Sequence, residues 1–518
     1  TDPSATEAYV TTNATNSFGY SGIFVEADDV TIAGLEIGPN AAGNNKMIEI
    51  IGNGFTLKDS FIKVSTGGAV YFGDERYDDL TGTAHIESYT ITHNIFEQGG
   101  RLSINNGAGA SGPVSGRQIT NNTFTTNAGQ SWGTIVFNGD GTTVPWFINP
   151  VGGAIITGNS FTNLDSKGVH IQVRGMADDS EWDWESYWND NTFNKAVIVG
   201  PNLFDDVRAY NYSSGGYDLN DVRQIGANIQ PEINHAQDGD TVLVNEGTYP
   251  ESPNVIKSVT LLSDDGRDLT FIELQPQTIA PTYLGSLYID AADVTVDGFT
   301  IVGFDADCAD FGVDGDQDDA STNIITSLNA VTVVIQNNRF QVGAKGACQT
   351  WDDAIGVATT YTDTADTLDS LLVENNIFEP ANASASRAFY VNPGTVDFTF
   401  RGNEINGEFT AASYTQAKNG LVEDNTINGT GTSRGMGTWG YPDPTLYGAT
   451  LFQGNTINNV VNGITIYGSE NVTVTKNFFT NNDRGVWVDE DVAFDLSTIH
   501  INRNSMAIAS ERTSAGMS

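Results

Sequence analysis

The chain has 518 residues and carries 65 acidic against 23 basic side chains, a net charge of −42. That imbalance excludes binding to nucleic acid or to an anionic membrane through a basic face. No apolar run approaches the roughly 18 residues that a spanning helix needs, so membrane insertion is not expected either.

In chain order, the first element is an alternating segment, Ile23-Phe-Val-Glu-Ala-Asp-Asp-Val-Thr-Ile-Ala-Gly-Leu-Glu-Ile37. It reappears as Leu287-Tyr-Ile-Asp-Ala-Ala-Asp-Val-Thr-Val-Asp-Gly-Phe-Thr-Ile301, with six of fifteen positions identical. Alternation with period two marks half-buried strands, and the recurrence marks an internal duplication.

From Ile91 a second pattern begins: an apolar residue, two small or polar residues, Asn, any residue, then Phe or Ile. It reads Ile91-Thr-His-Asn94-Ile-Phe96, and it recurs around Asn122, Asn159, Asn191, Asn338, Asn376, Asn403, Asn425, Asn455, Asn477 and Asn504, with Met506 closing the last copy. Repeats of this length with β-branched flanks and no helical period describe a solenoid of parallel strands. Each Asn is expected at a sharp bend in a left-handed backbone conformation. Coils stacked about 4.8 Å apart would let the side-chain amides bond one another in a ladder. A turn ladder, rather than ligand binding, is the plainer role for these residues.

Further along, Gly168-Val-His-Ile-Gln-Val-Arg-Gly175 reads as a strand. With Val169, Ile171 and Val173 inward, alternation sends His170, Gln172 and Arg174 to an exposed row. Trp182, Trp184 and Trp188 follow. A cation and an imidazole beside aromatic platforms suit an acidic sugar and abstraction of a proton next to its carboxylate. Any exposed strand of a solenoid presents such a row, and a solvated face under a Trp-rich loop is the preferred reading of it.

Periodicity fails at Tyr210-Asn-Tyr-Ser-Ser-Gly-Gly-Tyr217, which places a domain boundary there. The next segment, Ile229-Gln-Pro-Glu-Ile-Asn-His-Ala-Gln-Asp-Gly-Asp-Thr-Val-Leu-Val-Asn-Glu-Gly-Thr-Tyr249, carries a resemblance. With the Asn pattern, it makes the chain similar to the right-handed parallel β-helices of the pectate-lyase-like superfamily, where such a segment is the first coil and its cap. The resemblance implies an all-β fold of two tandem right-handed parallel β-helices. Residues 1–209 would form the first, and residues 210–518 the second, with an N-terminal cap around 218–275. Because position 1 aligns beyond that cap, the first helix is expected to lack its opening coil, and the chain to be a slice of a longer protein.

The acidic loop Asp305–Asp319 alternates carboxylates with glycines, which suits a hard cation such as calcium, with Asp314, Asp316 and Asp318 as ligands. A solvated acidic loop fits the sequence as well. Cys308 and Cys348, the two cysteines, lie in loops on either side of one repeat. They are expected to form a disulfide between neighbouring turns, in keeping with an oxidising compartment, although two buried thiols would fit the sequence too. Trp351-Asp-Asp-Ala-Ile-Gly-Val357 resembles the paired carboxylates of polygalacturonases, in which Asp352 and Asp353 would divide acid and base work. That family's Gly-His-Gly and Arg-x-Lys do not follow.

These features point first to a non-enzymatic extracellular β-helix repeat array, part of a larger cell-surface, adhesive or filament-forming protein. Its partners would be copies of itself or further domains of the same polypeptide, with polysaccharide as a second ligand. The alternative is a secreted polysaccharide lyase or glycoside hydrolase acting on an acidic polysaccharide through His170, Arg174, Asp352 or Asp353.

Overall fold

The computed structural model describes residues 9–10, 23–38, 47–63, 68–72, 86, 88–97, 101–106, 116–126, 134–139, 154–163, 169–174, 184–200, 223–275, 285–304, 322–327, 329–343, 353–357, 368–382, 384–392, 394–440, 448–489 and 495–507. Residues 1–236 and 237–518 form two compact units. Within each, the chain lays down one short strand on each of three sheets and then climbs to the next coil.

In the second unit, face A runs from Thr241–Val244 to His500–Asn502 and face B from Gly247–Tyr249 to Ser505–Ala507. Face C runs from Asn254–Val255 to Arg484–Asp489. Pairing is parallel throughout, as between Thr332–Gln336 and Leu368–Glu374 on face A. The first unit has the same plan. One sheet runs from Tyr9–Val10 to Thr192–Phe193 and another from Thr31–Ala33 to Ile155–Thr157, and a third includes Ile23–Val25 and Val169–Arg174. The duplicated segments fold alike: Ile23–Val25, Thr31–Ala33 and Glu36–Ile37 fall on three sheets, as do Leu287–Ile289, Asp293–Asp297 and Thr300–Val302.

Parallel register turns the repeat into columns. The apolar residue before each Asn pattern gives Ile335, Val373, Phe400, Val422, Phe452 and Val474 in line on face A. The residue that closes the pattern gives Phe340, Phe378, Ile405, Ile427, Ile457 and Phe479 on face B. All of these are buried. In the first unit Phe96, Phe124, Phe161 and Phe193 stack face to face, with centroids 4.7, 4.9 and 5.0 Å apart. That spacing is the interstrand distance, so offset ring stacking and backbone pairing favour the same register.

Between faces A and B stands the Asn ladder. The Asn376 backbone N–H and Nδ2 both donate to Asn403 Oδ1, at 2.9 and 3.1 Å, while Nδ2 also reaches back to the Ile335 carbonyl at 2.8 Å. The same set links Asn403 to Asn425, Asn425 to Asn455, Asn455 to Asn477 and Asn477 to Asn504. In the first unit it links Asn94, Asn122, Asn159 and Asn191. Each amide therefore touches the coil above and the coil below, which satisfies backbone groups that burial at the corner would otherwise orphan.

The left-handed residue is not the ladder Asn but the one before it. His93, Asn121, Asn337, Asn375, Asp424, Lys476 and Arg503 all have φ between 54 and 57 or at 59°. Putting the bend one residue earlier leaves each Asn able to present both its N–H and its amide to the next coil. Where Asp424 occupies the bend, Gly454 (φ 68°) sits there in the next coil, because a Cβ would stand 2.1 Å from Asp424 Oδ1.

Among the described residues two short α-helices interrupt the strands, Trp184–Asn189 and Ile229–His235. Arg223–Gly226 runs antiparallel to Val169–Arg174 and Val197–Gly200 within the first unit, where Ile225, Ile229 and Ile233 are buried.

Replacing Asn403 by Ala should remove the acceptor of two Asn376 donors and the donor to Val373 O. At about 1–3 kcal/mol for each orphaned buried group, urea unfolding should show a loss of roughly 3 kcal/mol or more. Asn406→Ala, which removes a half-buried bond from Asn428, should cost about 1 kcal/mol or less. Equal losses would refute a special role for the ladder.

Candidate functional site

The exposed row expected on Val169–Arg174 is not formed. His170 is 1 % and Gln172 5 % exposed. For His170 the reason is a bulge. Against Arg223–Gly226 the register shifts between Val169 and Ile171, leaving His170 as the extra residue. A bulge breaks the two-residue alternation and re-aims the side chain. The imidazole lies against Phe161 and Phe193, with centroids at 5.6 and 5.4 Å, and its Nε2–H donates to the Lys195 carbonyl at 3.0 Å. Burial pushes its pKa down from 6.5 to about 4, against the pull of that hydrogen bond. It is a neutral core histidine at pH 7, not a base facing solvent.

The aromatic platform beside it is also altered. Trp188 is half-buried and leans on Phe193 at 6.0 Å, extending the phenylalanine stack. Trp184 opens the helix Trp184–Asn189, and Arg174 closes its strand. Trp182 lies outside the described residues.

The second candidate resolves into an ion pair. Asp353 begins the face C strand Asp353–Val357 and pairs in register with Arg387, the first residue of Arg387–Val391. Arg387 Nε donates to Asp353 Oδ1 at 2.6 Å and Nη2 to Oδ2 at 2.8 Å. Both side chains are buried, and the guanidinium lies 4.2 Å from the Tyr390 ring centre. Burial pushes the Asp353 carboxyl up, and the Arg387 charge opposes it. With both oxygens held by one planar fork, the carboxylate ties two coils together and offers no lone pair to solvent. Asp352, the expected calcium ligands Asp314, Asp316 and Asp318, and Cys308 and Cys348 all lie outside the described residues.

One group on face C was missed in the sequence. Tyr390, Tyr414, Trp439, Tyr467 and Trp487 fall on five successive strands and are each half-buried. Tyr390 pairs with Tyr414, and Trp439 with Tyr467. The Trp439 ring stands edge-on to both neighbours, 5.3 Å from Tyr414 and 5.7 Å from Tyr467. Gln416 Nε2 donates to the Trp439 carbonyl at 2.7 Å, and Arg484 lies 5.2 Å from the centre of the Trp487 ring. The aromatics escape a repeat search because the connection between faces B and C varies in length, so they hold no fixed offset from the Asn pattern.

The folded His170 pKa lies below the unfolded one, so its contribution is complete above pH 6.5 and is lost as pH falls towards 4. A shift of that size corresponds to about 3 kcal/mol. The stability difference between the parent and His170→Phe should therefore change by about that amount between pH 7.5 and 4.5. A pH-independent difference would contradict the assignment. Arg387→Met should cost about 3–5 kcal/mol by stranding Asp353, and adding Asp353→Leu should restore much of it, both read from urea midpoints.

Residues 323–505, all within the second unit, match the family model described as a right handed beta helix region. No curated protein matches the chain. In strand order the chain is a parallel β-helix repeat protein, and its stretch 323–505 is similar to the right-handed β-helix family.

Proposed function

We propose that the protein is a non-enzymatic extracellular β-helix array, a structural part of a cell surface, adhesive layer or filament. The observation that carries this reading is the stacking itself: in the second unit the core columns and the Asn ladder pass from coil to coil through parallel pairing and amide bonds. Ile501 continues the face A core column from Val474, and Met506 continues the face B column from Phe479. Coils that bind one another in this way offer the same pairing to a coil of a second copy or of a neighbouring part of the same polypeptide.

The fate of the catalytic candidates supports the same reading. Of the four, His170 and Asp353 are internal and bonded to the fold, which leaves the lyase or hydrolase alternative resting on Arg174 and Asp352. Calcium held by Asp314, Asp316 and Asp318 would serve as a bridge between acidic surfaces rather than as a catalyst.

Negative-stain microscopy and sedimentation of the purified chain, with calcium and with chelator, test the proposal. Concentration-dependent assemblies are expected, and Ile501→Lys with Met506→Lys should leave single particles with unchanged circular dichroism. Assemblies that dissolve in chelator would assign the contact to cation-bridged carboxylates. Single particles at every concentration, with and without calcium, would overturn it.

A further inference from the structure

We propose that residues 223–235 are an exchangeable plug, and that a second copy of this chain fills the first unit with its own plug in place of the resident one. This names one contact for the association of copies proposed above and rests on that reading.

The plug occupies a slot between two coils. On one sheet of the first unit these coils touch directly: Ser160–Asn163 pairs with Thr192–Phe193, and Phe161 stacks on Phe193 at 5.0 Å. On another sheet the same coils are held apart. Val169–Arg174 and Val197–Gly200 both pair with Arg223–Gly226, which lies between them and runs antiparallel to each. Ile225 stands opposite Ile171 on one side and Ile198 on the other, and Gly226 opposite Val169 and Val197. The helix Ile229–His235 then packs against Val197–Gly200, and Ile225, Ile229 and Ile233 are buried. The bulge at His170 belongs to this insertion, and the imidazole bridges the two coils through its bond to the Lys195 carbonyl.

Chain order opens the slot to competition. Each coil stacks on the one before it, but the plug follows Gly200 by 22 residues and returns into a gap between coils already laid down. Until it arrives, Val169–Arg174 and Val197–Gly200 present unpaired edges to one another, and such edges recruit an extended segment of fitting sequence. The plug of another copy makes the same contacts as the resident one, so concentration sets the balance between them. A connection of 22 residues extends to about 70 Å, so it does not confine the plug to its own copy. The second unit follows at Gln237, and each exchange therefore tethers the second unit of one copy to the first unit of another. Made reciprocally between two copies the exchange closes a dimer; made head to tail it propagates into a filament.

The test uses two differently tagged forms of the whole chain, one with Gln172→Cys and the other with Gln224→Cys, refolded together from urea. Positions 172 and 224 face each other across the pairing, within reach of a disulfide. That bridge joins the two tags only when the plug of one copy sits in the other. It is expected to form, identified by peptide mass so that Cys308 and Cys348 do not confuse it, and tenfold dilution before refolding should lower its yield about tenfold. Val199→Cys in place of Gln172→Cys reads the other edge of the plug, should Gln172→Cys prevent folding. A chain carrying both Gln172→Cys and Gln224→Cys, refolded at high dilution, should bridge within itself and so shows that the pair is competent. Assemblies in the microscope with no bridge between tags at either edge would overturn the exchange and leave the association of copies standing. Single particles with no bridge, at every concentration, would overturn both.

Discussion

A carboxamide that bonds the coil above and the coil below is the interaction on which the rest of this structure depends. A three-sided solenoid must turn corners with its backbone buried, and every corner leaves peptide groups that no strand pairs. At the corner between faces A and B the Asn side chain supplies both a donor and an acceptor at the interstrand spacing. Asn403 donates to the Val373 carbonyl of one coil and to Asn425 Oδ1 of the other, and accepts from Asn376 N–H. No other side chain of that length offers both. Ser60, at the matching corner of an early coil, accepts from Leu35 N–H but sends its own hydroxyl to Lys58 O instead of to the next coil.

Once the corner is fixed, register is fixed, and identical positions lie on top of one another. This favours phenylalanine over phenylalanine, but it would be unfavourable for carboxylates in a chain so acidic. The outer column at the end of face A shows the solution. Asp297 accepts from Gln336, Glu374 from Arg401, and Glu423 from Gln453, each at 2.7 Å. Acid alternates with donor from coil to coil, so the charge of −42 is carried without stacked like charges in this column. The buried pair Asp353–Arg387 applies the same rule inside, where desolvation makes an exact partner obligatory.

Where the regular stacking is broken, the reason is local. The bulge at His170 allows the strand Arg223–Gly226 to pair antiparallel with Val169–Arg174, and the displaced imidazole fills space against Phe161 and Phe193. The bulge does not alter the columns; it marks a place where the repeat meets a strand that is not another identical coil.

The sequence by itself determined the all-β solenoid, the columns of apolar residues and the Asn ladder, because each is a short-range pattern repeated at nearly the same phase. It determined that the ladder Asn face the stack, though not that the preceding residue takes the left-handed bend, since Lys476 and Arg503 carry no preference for it. Only the tertiary structure decided which polar residues face solvent. Alternation assigned His170 outward, and a register shift against a strand some fifty residues later turned it inward. Asp353 read as one half of an acidic pair until Arg387, 34 positions on, claimed both its oxygens. The aromatic row of face C was hidden for the same reason: loops of unequal length bring Tyr390, Tyr414, Trp439, Tyr467 and Trp487 to one face, and spacing along the chain does not record where a loop returns.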